Sequence, residues 1–184
     1  PAAAPAAAPT AAPTTIHARC LACKLQGNAA LKAKKLADAV AAYSAGIDAL
    51  VSARREWEED VEARHLLVTL HSNRAQAHLE RKAWRDAAAD CAAALDVGVF
   101  EGKTAALGFK LQFRRAKAHR LWAADVAKGG ASGASEASAL LRRAGADIRA
   151  IIAESKRVGN VLSPSAVRGA QLEGDALKTA RSAL

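Results

Sequence analysis

The sequence predicts an all-α fold built from stacked helical hairpins, and three observations support this prediction. Alanine, a strong helix former, is the commonest residue, and aromatic residues make up only 4% of the chain. From Ile16 onward, apolar residues recur with helical spacing, as in Leu141, Ala144 and Ile148. Related motifs then return along the chain, which indicates a helical repeat rather than a simple bundle.

Seven helices are expected, and no strand pattern is present. Their approximate ranges are 17–34, 36–64, 65–81, 84–97, 103–124, 135–158 and 163–184. Gly98 is expected to end the fourth helix, and the Gly/Ser/Ala tract 128–134 is expected to form a loop. Ser163 is expected to cap the last helix, with Pro164 in its first position.

The chain divides into a linker and one domain. Residues 1–15 carry proline at every fourth position in a low-complexity alanine and threonine background, so we expect a disordered linker there. Residues 16–184 form the predicted domain. It contains repeat units at about 17–64, 65–98 and 103–158, and a capping helix at about 163–184.

Three short segments resemble one another. They read Lys-Leu-Gln-Gly-Asn-Ala-Ala from residue 24, Asn-Arg-Ala-Gln-Ala-His-Leu from residue 73, and Arg-Arg-Ala-Lys-Ala-His from residue 114. Their small residues let paired helices approach closely. Gly27, Ala75 and Ala116 are the equivalent small residues of the three units, at intervals of 48 and 41 residues. The added length is expected to extend the second helix across 52–65 and to form a loop across 98–109.

This pattern resembles the tetratricopeptide repeat (TPR), a helix-turn-helix unit of about 34 residues. The resemblance covers about residues 17–122 and implies a right-handed solenoid of three repeats with a C-terminal capping helix. After Trp122 the sequence departs from the pattern, and an insertion is expected to separate the helices of the third unit.

Polar residues recur on the first helix of each predicted unit, and the first helices of such a solenoid line its concave face. Lys24 and Asn28 lie four residues apart, as do Lys110 and Arg114. The two side chains of each pair are therefore expected on the same face of their helix. Asn73 stands between them on the second unit. Three cations and two amides, without an acid, suit a ligand with two adjacent carboxylates, such as a chain that ends in aspartate.

These five positions are similar to the two-carboxylate clamp of co-chaperone TPR domains, a group that includes the chaperone-organising protein and the large immunophilins. The matching motifs are Lys-x-x-Gly-Asn, Ser-Asn-Arg-Ala and Lys-x-x-x-Arg-Arg-Ala. The resemblance implies an adaptor that holds the C-terminal Glu-Glu-Val-Asp tail of heat-shock protein 70 or 90 chaperones. It implies neither a cofactor nor a metal.

The sequence leaves three other functions to consider. A TPR scaffold that binds an internal peptide or helix of a partner is the main alternative. The net charge of +9 suggests nucleic acid, but interleaved aromatic residues and a known recognition module are lacking. Catalysis is not expected, because the sequence shows no Ser/His/Asp order and no glycine-rich phosphate loop.

Cysteine use predicts a reducing, cytoplasmic compartment, because three cysteines are an odd number that does not suit a disulfide scaffold. Cys20 and Cys23 are read as small core residues of a helix rather than as a zinc or redox site. No apolar run is long enough to span a membrane. Attachment to an organelle surface through regions outside this sequence stays open.

Overall fold

The structure, a computed structural model, describes residues 15–54, 60–98, 100, 105–157 and 164–183. Helices account for nearly all of these residues, and none of them lies in a strand. The helices are α1 (Ile16–Lys32), α2 (Leu36–Ser52), α3 (Val61–Glu80), α4 (Trp84–Val97), α5 (Ala105–Ala127), α6 (Ala131–Arg157) and α7 (Pro164–Ser182). The predicted all-α fold is confirmed.

Turns of three residues join α1 to α2, α3 to α4 and α5 to α6. The first two turns have the same backbone geometry. Lys34 and Lys82 take positive φ angles of 59° and 62°, and the next amide in each turn bonds a helix carbonyl at 2.9 Å. These two lysines are 48 residues apart, the same interval as in the sequence repeat. In the third turn Gly130 supplies the positive φ, at 70°.

The helices stack so that the first helix of each hairpin lies beside the next first helix. α1 contacts α3, α3 contacts α5, and α5 contacts α7. The second helices instead pack between hairpins, α2 against α3, α4 against α5 and α6 against α7. The surface that the first helices α1, α3 and α5 form together, side by side, is called the inner face below.

A continuous apolar seam runs along the stack. Tyr43, Leu50 and Leu70 join the first and second hairpins, and Leu111 joins the second to the third. In the third hairpin, buried residues of α5 and α6 pack with two residues of α7: Ala116, Ala123, Leu140, Leu141, Ala144, Ile148, Ala170 and Leu177. The last helix thus covers the apolar end of the stack, as a terminal repeat cap does.

The first hairpin is closed by a glycine against an aromatic ring. A Cβ placed on Gly27 would lie 2.4 Å from Cε1 of Tyr43, far inside van der Waals contact. Tyr43 is fully buried. The glycine therefore permits an approach between α1 and α2 that no larger residue allows.

Two ion pairs join the first and second helices of the second and third hairpins. Arg74 donates to Asp90 from Nη2 at 2.6 Å and from Nε at 2.9 Å. Arg115 makes the same bidentate contact with Asp147, donating from Nη2 at 2.6 Å and from Nε at 3.0 Å. Both carboxylates are buried, so each needs these charge-assisted bonds to offset its desolvation.

The Asp90 carboxylate also bonds Nδ1 of His71, at 2.9 Å. Burial raises the pKa of Asp90, but the bonds from His71 and Arg74 outweigh it and hold that pKa below its ordinary value of 3.8. The ionised carboxylate is therefore the form that the folded state stabilises.

The predicted extension of the second helix through Arg64 is wrong. α2 ends at Ser52, and residues 61–64 belong to α3. The reason is a helix cap, because the side chain of Asp60 accepts bonds from the amides of Glu62 and Ala63 at 2.8 and 3.3 Å. The expected boundary between the first two units, at 64 and 65, therefore falls inside a helix.

The expected loop 128–134 is also too long, because α6 begins at Ala131. A Cβ on Gly133 would lie 2.1 Å from the carbonyl oxygen of Val126, so this glycine lets the first turn of α6 pack against the end of α5 rather than marking a loop. The insertion after Trp122 therefore lengthens the two helices instead of separating them.

Some predictions fall on residues outside those described. They concern the linker over residues 1–14, the start of the fifth helix at Lys103, and the cap at Ser163. Pro164 does begin α7, as expected. Within the described ranges, no helix combines the length and the hydropathy needed to cross a membrane.

Replacing Gly27 with alanine is expected to lower the free energy of unfolding by about 1–3 kcal/mol, because the new methyl group overlaps the Tyr43 ring. Urea denaturation measures this change. Gly145→Ala is the matched control, since its Cβ meets only the flexible end of Arg149 and should leave stability unchanged or slightly higher. Equal effects of the two substitutions would contradict the close approach.

Asp90→Asn is expected to destabilise the domain by about 3 kcal/mol at neutral pH, because Arg74 loses its ionic partner. The folded-state pKa of Asp90 lies below the unfolded value of 3.8, so its contribution is present above about pH 4 and is lost as the pH falls through the folded pKa. The wild-type protein should therefore lose more stability in acid than the variant does.

Denaturant unfolding at several pH values measures that difference. Asp48→Asn, which alters an exposed carboxylate of α2, should follow the wild-type pH profile. Parallel curves for Asp90→Asn and the wild type would show that Asp90 contributes no pH dependence.

Candidate functional site

Asn28 and Asn73 meet across the inner face. Nδ2 of Asn73 donates to Oδ1 of Asn28 at 3.0 Å, although the two residues are 45 positions apart in the chain. The hydroxyl of Tyr43 donates to the same oxygen at 2.8 Å. The acceptor atom of Asn28 is thus occupied by two donors, and its own amide hydrogens are left for a ligand.

Arg114 is tied to the residue that precedes Asn73. Its Nη1 donates to the carbonyl oxygen of Ser72 at 2.8 Å and to the Ser72 hydroxyl at 2.7 Å. Ser72 is buried, so these two hydrogen bonds fix the guanidinium where α3 and α5 meet. Burial lowers the pKa of Arg114, yet the group stays protonated at neutral pH.

Lys110 lies one helical turn before Arg114 on α5, and its side chain is exposed. The charge of Arg114, followed by partial burial, lowers the pKa of the Lys110 ammonium. Two cations thus stand close enough to repel each other. An anion placed between them would remove that repulsion.

Lys24 is half-buried on α1, one turn before Asn28. Residues four apart on a helix share a face, so Lys24 stands beside Asn28 on the side where α1 meets α3. Among the described residues, Lys24 forms no hydrogen bond with the other four predicted residues. The structure joins Asn28 to Asn73 and places Arg114 on Ser72, the residue before Asn73. Lys110 lies one turn before Arg114 on α5 and, in the described part of the chain, has no hydrogen bond to either amide.

Within the described ranges, Lys24, Lys110 and Arg114 form no ion pair with a carboxylate. By contrast, Arg115, next to Arg114 in the chain, pairs with Asp147, and Arg74, next to Asn73, pairs with Asp90. The arrangement can therefore accept an anionic group and can hydrogen-bond it from both amides.

Two supporting residues were not predicted as part of the site. Tyr43 was expected only in the core, and it does fill the core, but its hydroxyl also orients Asn28. Ser72 belongs to the Ser-Asn-Arg-Ala motif and has no predicted role of its own, but in the structure it anchors Arg114. A buried tyrosine must place its hydroxyl on a polar partner, which was the available signal for the first of them.

The cysteines give no sign of a metal or redox centre in the part that the structure describes. All three are free thiols, and the described His, Cys, Asp and Glu residues form no group of three suited to a metal ion. Cys20 is buried and its thiol points to the Gly46 carbonyl at 3.4 Å. Burial raises the pKa of Cys91 to about 12, which makes that thiol unreactive at neutral pH.

Comparison with known proteins identifies the fold. No family model matches the sequence. No curated protein matches it either. Among solved structures, the chain is similar to the TPR domain of Arabidopsis OM64, with a TM-score of 0.54 and 21% sequence identity. The match covers 90% of this chain and 98% of that domain. The helical hairpins described above therefore have the fold of a TPR domain.

Proposed function

We propose that the protein is a protein-interaction module, a co-chaperone adaptor that binds the acidic C-terminal tail of a heat-shock protein 70 or 90 chaperone. The carboxylates of the tail are held by Lys24, Asn28, Asn73, Lys110 and Arg114. A cytoplasmic location belongs to the same proposal, since such tails lie there. No catalytic step is part of it.

The observation that carries the proposal is the hydrogen bond between Asn28 and Asn73, with Arg114 held on Ser72, the residue before Asn73, and Lys110 one turn before Arg114. Arg114 is partly desolvated, and among the described residues it hydrogen-bonds only Ser72, so no described carboxylate balances its charge. A ligand with two negative charges supplies the missing counter-charge. Each hydrogen bond to a charged group contributes about 1.5–3 kcal/mol.

A chain end is favoured over an internal segment because of how the donors are grouped. The terminal carboxylate and the side chain of a last aspartate place two anions within one residue. The described inner face offers two cations on one turn of α5 and two amides within hydrogen-bond distance of each other. Such a compact donor set suits a compact dianion better than carboxylates spread along a chain.

Lys24→Ala and Lys110→Ala are each expected to weaken binding of a Glu-Glu-Val-Asp peptide by at least about 1.5 kcal/mol, through loss of a charged donor. Titration calorimetry with peptides from both chaperone classes measures the change. These lysines are better targets than Arg114, because Arg114 also bonds Ser72 and its loss could disturb packing.

Arg142→Ala is the control, since this exposed arginine lies on α6. It should bind the peptide as the wild type does. Retained affinity in both lysine variants would contradict the assignment of the site. Equal losses in the lysine variants and in Arg142→Ala would indicate unspecific attraction by the net charge of +9.

A peptide with an amidated C-terminus separates the clamp from the alternative scaffold function. Amidation removes one of the two anions, so affinity should fall at least about tenfold if a chain end is bound. Unchanged affinity for the amidated peptide would support a TPR scaffold that binds an internal segment.

Tail binding is expected to weaken in alkaline solution earlier than the ordinary lysine pKa would suggest. Arg114 and partial burial lower the pKa of Lys110, so it loses its proton below the ordinary value of 10.5. A bound carboxylate raises this pKa again, and binding therefore takes up a proton in that range. In Lys110→Arg the donor stays charged, so affinity should fall less between about pH 7 and 10 than it does in the wild type. Identical pH profiles for the variant and the wild type would exclude this role of Lys110.

A further inference from the structure

A second groove lies between the second helices of the second and third hairpins. α4 and α6 both pack against α5, and in the described part they hardly touch each other. The gap encloses about 500 Å³. Its floor is formed by Arg115, His119 and Trp122 of α5, which lie four and three residues apart and so share one face. That face is turned away from the one that carries Lys110 and Arg114.

The walls of this groove, called the outer groove, consist mainly of alanine. Ala88, Ala89 and Ala92 line it from α4, and Ala146 lines it from α6. Such short side chains leave room for the backbone of another chain. The wall from Arg85 to Ala92 is about 10 Å long at 1.5 Å per residue, enough for about three extended residues.

Two arginines stand at the walls without acidic partners. Arg85 of α4 and Arg143 of α6 are exposed, and neither forms an ion pair with a described carboxylate. The third guanidinium, that of Arg115, is neutralised by Asp147. The outer groove therefore carries an excess of two positive charges, one on each wall.

Arg85 is held in place by the floor. Its guanidinium carbon lies over the Trp122 ring, 6.0 Å from the centroid, in a cation–π contact. A guanidinium in this position keeps its in-plane N–H donors available, and these match a carboxylate in pairs.

His119 provides a further polar group without a partner. Its side chain lines the outer groove, its residue is 8% exposed, and Nδ1 has no hydrogen-bond partner among the described residues. Burial, together with nearby Arg115 and Arg143, outweighs the charge of Asp147 and lowers the pKa of His119. The imidazole is therefore neutral at pH 7 and adds no charge to the outer groove.

We propose that the outer groove binds a short acidic segment of a partner protein in extended form. Arg85 and Arg143 hold two of its carboxylates from opposite walls, and the alanines receive its backbone. The segment needs no chain terminus, so this site works independently of the inner face. The protein would then bind two acidic sequences at once, a chain end on the inner face and an internal segment in the outer groove.

The test uses a fluorescein-labelled peptide of six alternating Glu and Asp residues, blocked at both ends, with binding followed by fluorescence anisotropy. The double variant R85A/R143A should weaken binding at least about tenfold. The matched double variant R142A/R149A removes two exposed arginines of α6 that do not line the groove, so it should weaken binding less than about twofold. Circular dichroism checks that both variants remain folded.

Four results would overturn the proposal. Undiminished binding by R85A/R143A would show that the outer groove is not used. Equal losses in the two double variants would show general attraction by net charge. A loss in K24A/K110A that matches the loss in R85A/R143A would place the peptide on the inner face. Tighter binding of a single-stranded RNA that displaces the peptide from the outer groove would assign the surface to nucleic acid instead.

Discussion

The ring of Tyr43 packs against Gly27, and this contact sets the distance between the two helices of the first hairpin. The same distance brings the tyrosine hydroxyl to Asn28, whose oxygen then accepts the Asn73 amide across the hairpin boundary. One close contact in the core therefore positions two residues on the inner face. A wider hairpin would keep the apolar seam but would lose the bond from Tyr43 to Asn28.

The adjacent residues Arg114 and Arg115 lie in different surroundings, Arg114 at the inner face and Arg115 against a buried carboxylate. Neighbouring residues on a helix point about 100° apart, so Arg115 reaches the buried Asp147 while Arg114 faces Ser72 and the inner face. The buried pair satisfies its own charges and joins two helices. Among the described residues Arg114 has no such counter-charge, and in the proposed function a bound carboxylate supplies it. Under that proposal, stability depends on Arg115 and binding depends on Arg114.

The sequence predicted much of the fold, because helix signals are local. The start and end of α4, the αL glycine at Gly98 and the start of α7 at Pro164 all follow from residues at those positions. The error at Arg64 has a local origin too, since Asp60 is a good cap residue that was read as part of a charged helix. The error at Gly133 does not, because a glycine that permits close packing looks like a loop glycine in sequence.

The five inner-face positions and their chemical types could be named from the sequence, since helical spacing and side-chain chemistry are properties of each segment alone. Tertiary structure alone decided which of them touch. The Asn28–Asn73 bond, the anchor of Arg114 on Ser72 and the outer groove between Arg85 and Arg143 all join residues more than 40 positions apart. Their distances depend on how closely the hairpins pack, and packing is set by many side chains at once rather than by any local pattern.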